Sequence, residues 1–194
     1  MTKDTPPSEK FLKIQAGIVT MACIGLGLAA IMVIGGWAVT GTLEDWETVV
    51  GGGIFLALLA GIARMARRGR ASLAAGILSG LLFILVSADV ASYGLGSPSA
   101  MAFLLPALLT ACSLGLWPGI LVAMLAVLVM FGVAWTSLEG LLVVAIPVEL
   151  SHLSYNAPVI SVILVFCTAL AGYAVQSYRH CAEITPSDET KPPI

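Results

Sequence analysis

Few side chains in this sequence have the means to do chemistry, and they lie close together. Glu149 and His152 stand three positions apart, a spacing that puts both on one face of a helical segment. Glu-x-x-His pairs build di-iron sites in helical bundles when the pair occurs twice with further glutamates. Here it occurs once, and the other histidine, His180, follows the last apolar stretch. No metal is therefore expected. The pair reads as a solvated polar face, or as a histidine that answers to pH or touches a ligand. Asp89 is the acidic side chain closest to an apolar run, flanked by Ser87, Ser92 and Tyr93. A carboxylate in hydrocarbon is costly and by default a functional candidate, whereas one at the end of a run is simply hydrated. Asp89, Tyr93, Glu149, His152 and Tyr155 are the groups expected to share one mouth and to bind a ligand there, if there is one. Cys23, Cys112, Cys167 and Cys181 lack metal-ligand spacing and read as small packing residues. No nucleophile–base pair, phosphate loop or dinucleotide fingerprint is present. Neither an enzyme nor a bound cofactor is expected.

The elements that hold these groups follow from composition. Of the residues, 59% are hydrophobic and 10% charged, against about 45–50% and 25% in soluble domains. So few charges cannot furnish a water-facing surface, and lipid is the expected solvent. No basic stripe suggests nucleic acid. The fold class is an all-α, polytopic helix bundle with about six transmembrane helices. The runs are Ile14–Thr40, Val49–Ala66, Leu73–Ala91, Ser99–Leu116, Ile120–Trp135 and Val159–Gln176. The first is too long for the apolar core of a signal peptide and reads as a retained span. Residues 1–13 form an N-terminal tail, 14–178 the membrane domain and 179–194 a C-terminal tail expected to be disordered.

Turn chemistry marks the joints. Gly94-Leu95-Gly96-Ser97-Pro98 separates the third run from the fourth, Trp117-Pro118-Gly119 joins the fourth tightly to the fifth, and Pro158 opens the sixth. Pro106 interrupts the fourth run, with the hydroxyl of Thr110 four residues on, and predicts a kink. The segment Ser137–Ala157 is long and apolar, with a run from Leu141 to Ile146 too short to span. It is expected to lie in the interface or to fold over the bundle mouth as a lid.

Orientation follows from the basic residues. Six spans leave all nine of them (Lys3, Lys10, Lys13, Arg64, Arg67, Arg68, Arg70, Arg179 and Lys191) on one side. The other side carries Glu44, Asp45, Glu47, Asp89, Glu139 and Glu149. The positive side is cytoplasmic, so both termini are expected there, in the cytoplasmic (inner) membrane of a bacterium. Trp37, Trp46, Tyr93, Trp135 and Tyr155 would form the outer aromatic belt, and Trp117 and Tyr178 the inner one.

Small residues recur every four positions at Gly53, Ala57 and Gly61, at Ser72, Gly76 and Gly80, and at Ala107, Ala111 and Gly115. Such stripes let helices approach closely in lipid. With Gly119 they are expected to pack the bundle, or else to pair it with another chain, a second copy included.

From Arg67 to Glu183 the sequence resembles the multi-helix membrane input domains at the N-terminus of many bacterial sensor histidine kinases. The resemblance rests on Arg67-Arg68-Gly69-Arg70-Ala71-Ser72-Leu73-Ala74 entering the third run, Gly96-Ser97-Pro98, Leu104-Leu105-Pro106-Ala107-Leu108-Leu109, Leu114-Gly115-Leu116-Trp117-Pro118-Gly119, Glu139-Gly140-Leu141-Leu142, and a proline before the sixth run. It implies a six-helix sensor whose last helix continues into a signalling helix, which Arg179-His180-Cys181-Ala182-Glu183 would begin. Phosphoacceptor and ATP-binding domains do not follow in this sequence, so kinase activity is not carried over. The function expected is a non-catalytic membrane module, a stand-alone sensor-like domain or an accessory subunit with a membrane or cytoplasmic protein partner. The alternative is a carrier component for a small solute, lipid or quinone, similar to the substrate-binding subunits of energy-coupling-factor transporters. Its polar pocket would draw on Ser87, Asp89, Thr110, Ser113 and Thr168.

Overall fold

The computed structural model describes residues 7–40, 46–95, 99–142 and 157–184. Every regular element among them is helical: α1 Pro7–Thr40, α2 Trp46–Arg67, α3 Ala71–Tyr93, α4 Ser99–Ala102, α5 Leu104–Leu114, α6 Leu116–Leu138 and α7 Ala157–Ile184. Five are long and apolar enough to cross a membrane, over Leu12–Gly35, Val49–Arg67, Ala71–Tyr93, Leu116–Leu138 and Ala157–Ser177. Large apolar side chains lie open along them, including Met21, Met32, Ile84, Leu121, Leu128 and Phe166. Such an exterior is stable only against hydrocarbon. The chain is a multi-pass helical membrane protein.

The fourth apolar run is interrupted near Pro106, where a kink is expected. The helix stops at Ala102 and resumes at Leu104. Pro106 is the cause. It has no N–H for the carbonyl of Ala102, and its ring crowds that carbonyl. Phe103 bridges the break in right-handed helical geometry, and its carbonyl accepts from Ala107 N at 3.4 Å.

The described chain forms two compact units. In the unit Ser8–Leu78, α1 and α2 pair antiparallel. A Cβ on Gly27 would lie 3.7 Å from Leu56, and one on Gly52 would lie 2.5 Å from Ile34 Cδ1. The register runs down one helix as it runs up the other. A three-residue turn, Arg68-Gly69-Arg70, then reverses the chain into α3. Gly69 takes φ 84°, Gly69 N donates to Ala66 O and Arg70 N to Met65 O. This is a Schellman close, which needs a residue free to adopt positive φ.

The unit beginning at Ser79 is built on α5, α6 and α7, with the rest of α3 against them. Its core holds Val90, Leu95, Phe103, Ala107, Met130 and Leu164, with Phe83 and Val86 at its edge. One face of α6 supplies Gly119, Ala123, Ala126, Met130 and Ala134. These four small residues and one flexible one let α5 and α7 approach closely. A Cβ on Gly119 would lie 2.6 Å from Ala111 Cβ and 2.8 Å from Ala111 Cα, and one on Gly172 would lie 2.8 Å from Leu116 Cα. Gly115, at φ 111°, is the single residue between α5 and α6. Ala111 and Gly119 flank it at equal distance along the chain, so α5 and α6 form a tight antiparallel hairpin.

Candidate functional site

Five residues were expected to share a mouth, and two of them lie among the described residues. Asp89 and Tyr93 sit one turn apart near the end of α3, Asp89 half-buried and Tyr93 exposed. Their i, i+4 spacing makes them neighbours on one helix face. Glu149, His152 and Tyr155 lie outside the described residues, as do residues 143–146 of the apolar run that begins at Leu141. The serines near Asp89 are engaged elsewhere. Ser87 Oγ donates to Phe83 O at 2.7 Å and Ser92 Oγ to Ala88 O at 2.9 Å. This is the usual way for a hydroxyl in an apolar helix to satisfy its donor.

The polar groups meet deeper, around Pro106. Ser79 on α3 and Thr110 on α5 are both buried, and their hydroxyl oxygens are 2.5 Å apart. Each also lies within reach of the carbonyl of Pro106, Thr110 Oγ1 at 2.7 Å and Ser79 Oγ at 3.0 Å. Three contacts share two hydroxyl protons, so one contact is without a proton at any moment. The shorter distance favours a chain in which Ser79 donates to Thr110 and Thr110 donates to Pro106 O. Sequence spacing placed the Thr110 hydroxyl near the proline. The structure shows it serving the carbonyl of Pro106 itself, not the one the proline leaves unbonded at Ala102. Ser79 was missed, because nothing in an apolar run distinguishes a serine that crosses to a neighbour from one that folds back on its own helix. Ser113 is buried one turn beyond Thr110, and Thr168 is buried on α7 with its hydroxyl on Leu164 O at 2.6 Å.

One helix turn along α3 from Ser79, Phe83 packs against Phe103 with ring centroids 5.4 Å apart and planes at 53°. The pairs Phe83–Phe103 and Ser79–Thr110 together run α5 antiparallel along α3. At the level of the break a small apolar groove of about 60 Å³ opens between α4–α5 and α7, lined by Ala100, Met101, Leu104, Ile160, Ile163 and Leu164. Broken membrane helices border cavities because unpaired backbone needs protein or water beside it.

The small-residue stripes divide. Ala107 and Ala111 are fully buried and Gly115 ends its helix. Gly53, Ala57 and Gly61 are all exposed on α2, and a Cβ on either glycine would meet nothing within 4 Å. Gly76 is half-buried and Gly80 exposed on α3, with open space over both. No group of His, Cys, Asp and Glu among the described residues is arranged to hold a metal. Comparison with known protein families, with curated proteins and with solved structures finds no match for this chain.

Proposed function

We propose that this chain is a non-catalytic module of a bacterial cytoplasmic membrane, a stand-alone sensor-like domain or an accessory subunit, whose work is done through contact with another membrane protein. The open face of α2 carries this reading. A glycine in a helix costs about 1 kcal/mol relative to alanine. At Gly53 and Gly61 that cost brings no close approach among the described residues. It is returned only when a helix from outside lies across Gly53, Ala57 and Gly61. The resemblance to sensor input domains points the same way, since those modules act through what they touch.

The experiment is purification of the full chain from its own membrane in mild detergent, beside Ala57→Leu and Gly61→Leu. Wild type should emerge with a membrane protein in fixed stoichiometry. Both variants should melt as wild type does, since no described neighbour is displaced, yet emerge without it. A wild-type chain that emerges alone, or variants that keep the partner, would overturn the reading. Emergence as a homodimer would make the partner a second copy.

Six crossings with cytoplasmic termini complete the proposal. The antiparallel course of α5 along α3 supports a crossing by α4–α5, and the nine basic residues support the orientation. A cysteine replacing Glu44 should react with an impermeant maleimide added outside cells, and one replacing Arg68 should react only after lysis. The opposite pattern would reject the topology. The second reading, a lipid or quinone carrier, draws on the apolar groove beside Met101 and Ile163.

A further inference from the structure

The turn between α2 and α3 concentrates positive charge. Arg64, Arg67, Arg68 and Arg70 fall within residues 64–70, and all four are exposed. Two of them have a local explanation. Arg64 and Arg67 end α2, where the negative pole of the helix dipole favours cations. Arg68 and Arg70 do not. The Schellman bonds from Gly69 N and Arg70 N already satisfy carbonyls at the end of α2, so no arginine is needed as a cap. Arg70 is also in the wrong place for its own chain. Its carbonyl accepts from Ala74 N at 3.0 Å, which makes it the N-cap of α3, next to the positive pole of a 23-residue helix. That position favours Ser, Thr, Asp or Asn, and the first turn of α3 has no acidic residue. Among the described residues no carboxylate pairs with these arginines.

The surface just beyond the turn is apolar and open. Leu73 and Ile77 are 52% and 47% exposed on α3. Gly76 lies between them in sequence, with nothing within 4 Å of where its Cβ would be. At about 3.6 residues per turn Leu73 and Ile77 stack on one face of α3 and Gly76 lies beside them, so a bare furrow bordered on one side by aliphatic side chains begins where the positive charge ends. Excess cationic charge adjoining an open aliphatic furrow matches a molecule with an anionic head and a long hydrocarbon tail. We propose that the α2–α3 turn is a binding site for an anionic phospholipid, its phosphate held by Arg68 and Arg70 and one acyl chain laid over Gly76 alongside Leu73 and Ile77. The site lies within one unit of the protein, and it does not depend on what covers the small-residue face of α2.

The test titrates phosphatidylglycerol or phosphatidylcholine into the full chain in dodecylmaltoside. Bound lipid is counted by native mass spectrometry and stability is followed by melting temperature. Wild type should prefer phosphatidylglycerol, and Arg68→Gln/Arg70→Gln should weaken that binding about ten- to thirtyfold. Arg179→Gln/Lys191→Gln removes the same charge and should leave binding unchanged. Gly76→Leu keeps every arginine and should still weaken binding by filling the furrow. Arg70→Ser guards against simple misfolding. Serine suits the N-cap, so its lipid-free melting temperature should not fall, while the rise on adding phosphatidylglycerol should shrink. Wild-type binding by Arg68→Gln/Arg70→Gln, or an equal loss in the Arg179→Gln/Lys191→Gln control, would overturn the site. Displacement of the lipid by inorganic phosphate would overturn it in favour of a free anion, and Gly76→Leu binding like wild type would do the same for the acyl furrow.

Discussion

Phe103→Ala should lower the stability of the detergent-solubilised protein by roughly 2–4 kcal/mol. Phe103 is fully buried, among the largest such side chains in the core, and it bridges the α4–α5 break. In lipid the usual hydrophobic gain on burial is largely absent, because the surroundings of an unassembled helix are already apolar. What alanine loses is contact: the ring against Phe83, and the atoms around a void that lipid tails cannot fill. Leu121→Ala is the comparison. Leu121 is 66% exposed on α6, so the same kind of truncation there removes little packing and should shift stability by about 0.5 kcal/mol or less. Both can be measured by reversible unfolding in mixed micelles. Equal losses for the two variants would mean that the core around Phe103 does not hold the helices together.

Gly119→Val should be the more damaging of two valine substitutions one turn apart. Ala123 is fully buried, so valine there overpacks at a cost of about 1–2 kcal/mol. At Gly119 the first added atom already falls 2.8 Å from the Cα of Ala111. Backbone cannot rotate aside as a side chain can, so α5 and α6 must part. A loss of about 3 kcal/mol or more is expected. Gly119→Ala should also destabilise, even though alanine is the better helix former by about 1 kcal/mol. The melting order Ala123→Val above Gly119→Val checks the claim, and the reverse order would sink it.

Much of this architecture can be read from composition. Charge is so scarce that five apolar helices stand out by length alone, and Pro158 falls in the first turn of α7 as its missing N–H suggests. In the fourth apolar run hydropathy alone suggests one unbroken helix, and only Pro106 foretells the interruption. Hydropathy is a property of side chains, and the break at Phe103 is a property of one absent backbone donor at Pro106. The stripes fail for another reason. In water, polar residues mark the outside of a helix. In lipid both faces are apolar, so Gly53, Ala57 and Gly61 look the same in sequence as Ala107 and Ala111, although the first three are open and the last two buried. The face of α6 that carries Gly119, Ala123, Ala126 and Ala134 is masked in the same way, by leucine and valine between its small residues. Asp89 and Tyr93 stand out in the sequence as candidates because charge and aromatic hydroxyls are rare here. Ser79 was not, because its role depends on which helix lies beside it.

The single residue between α5 and α6 also bears on how the protein is made. With 11 residues, α5 is about 16 Å long, well short of a hydrocarbon core roughly 30 Å thick. As it leaves the ribosome it has neither the length nor the backbone pairing to settle in lipid alone. α6 has both, at 23 residues, but Gly115 leaves no slack for one to enter while the other waits. On the six-crossing topology proposed above, the translocation channel would release α4, α5 and α6 sideways as one cargo. The order in which the chain is synthesised is then not the order in which its helices reach the bilayer.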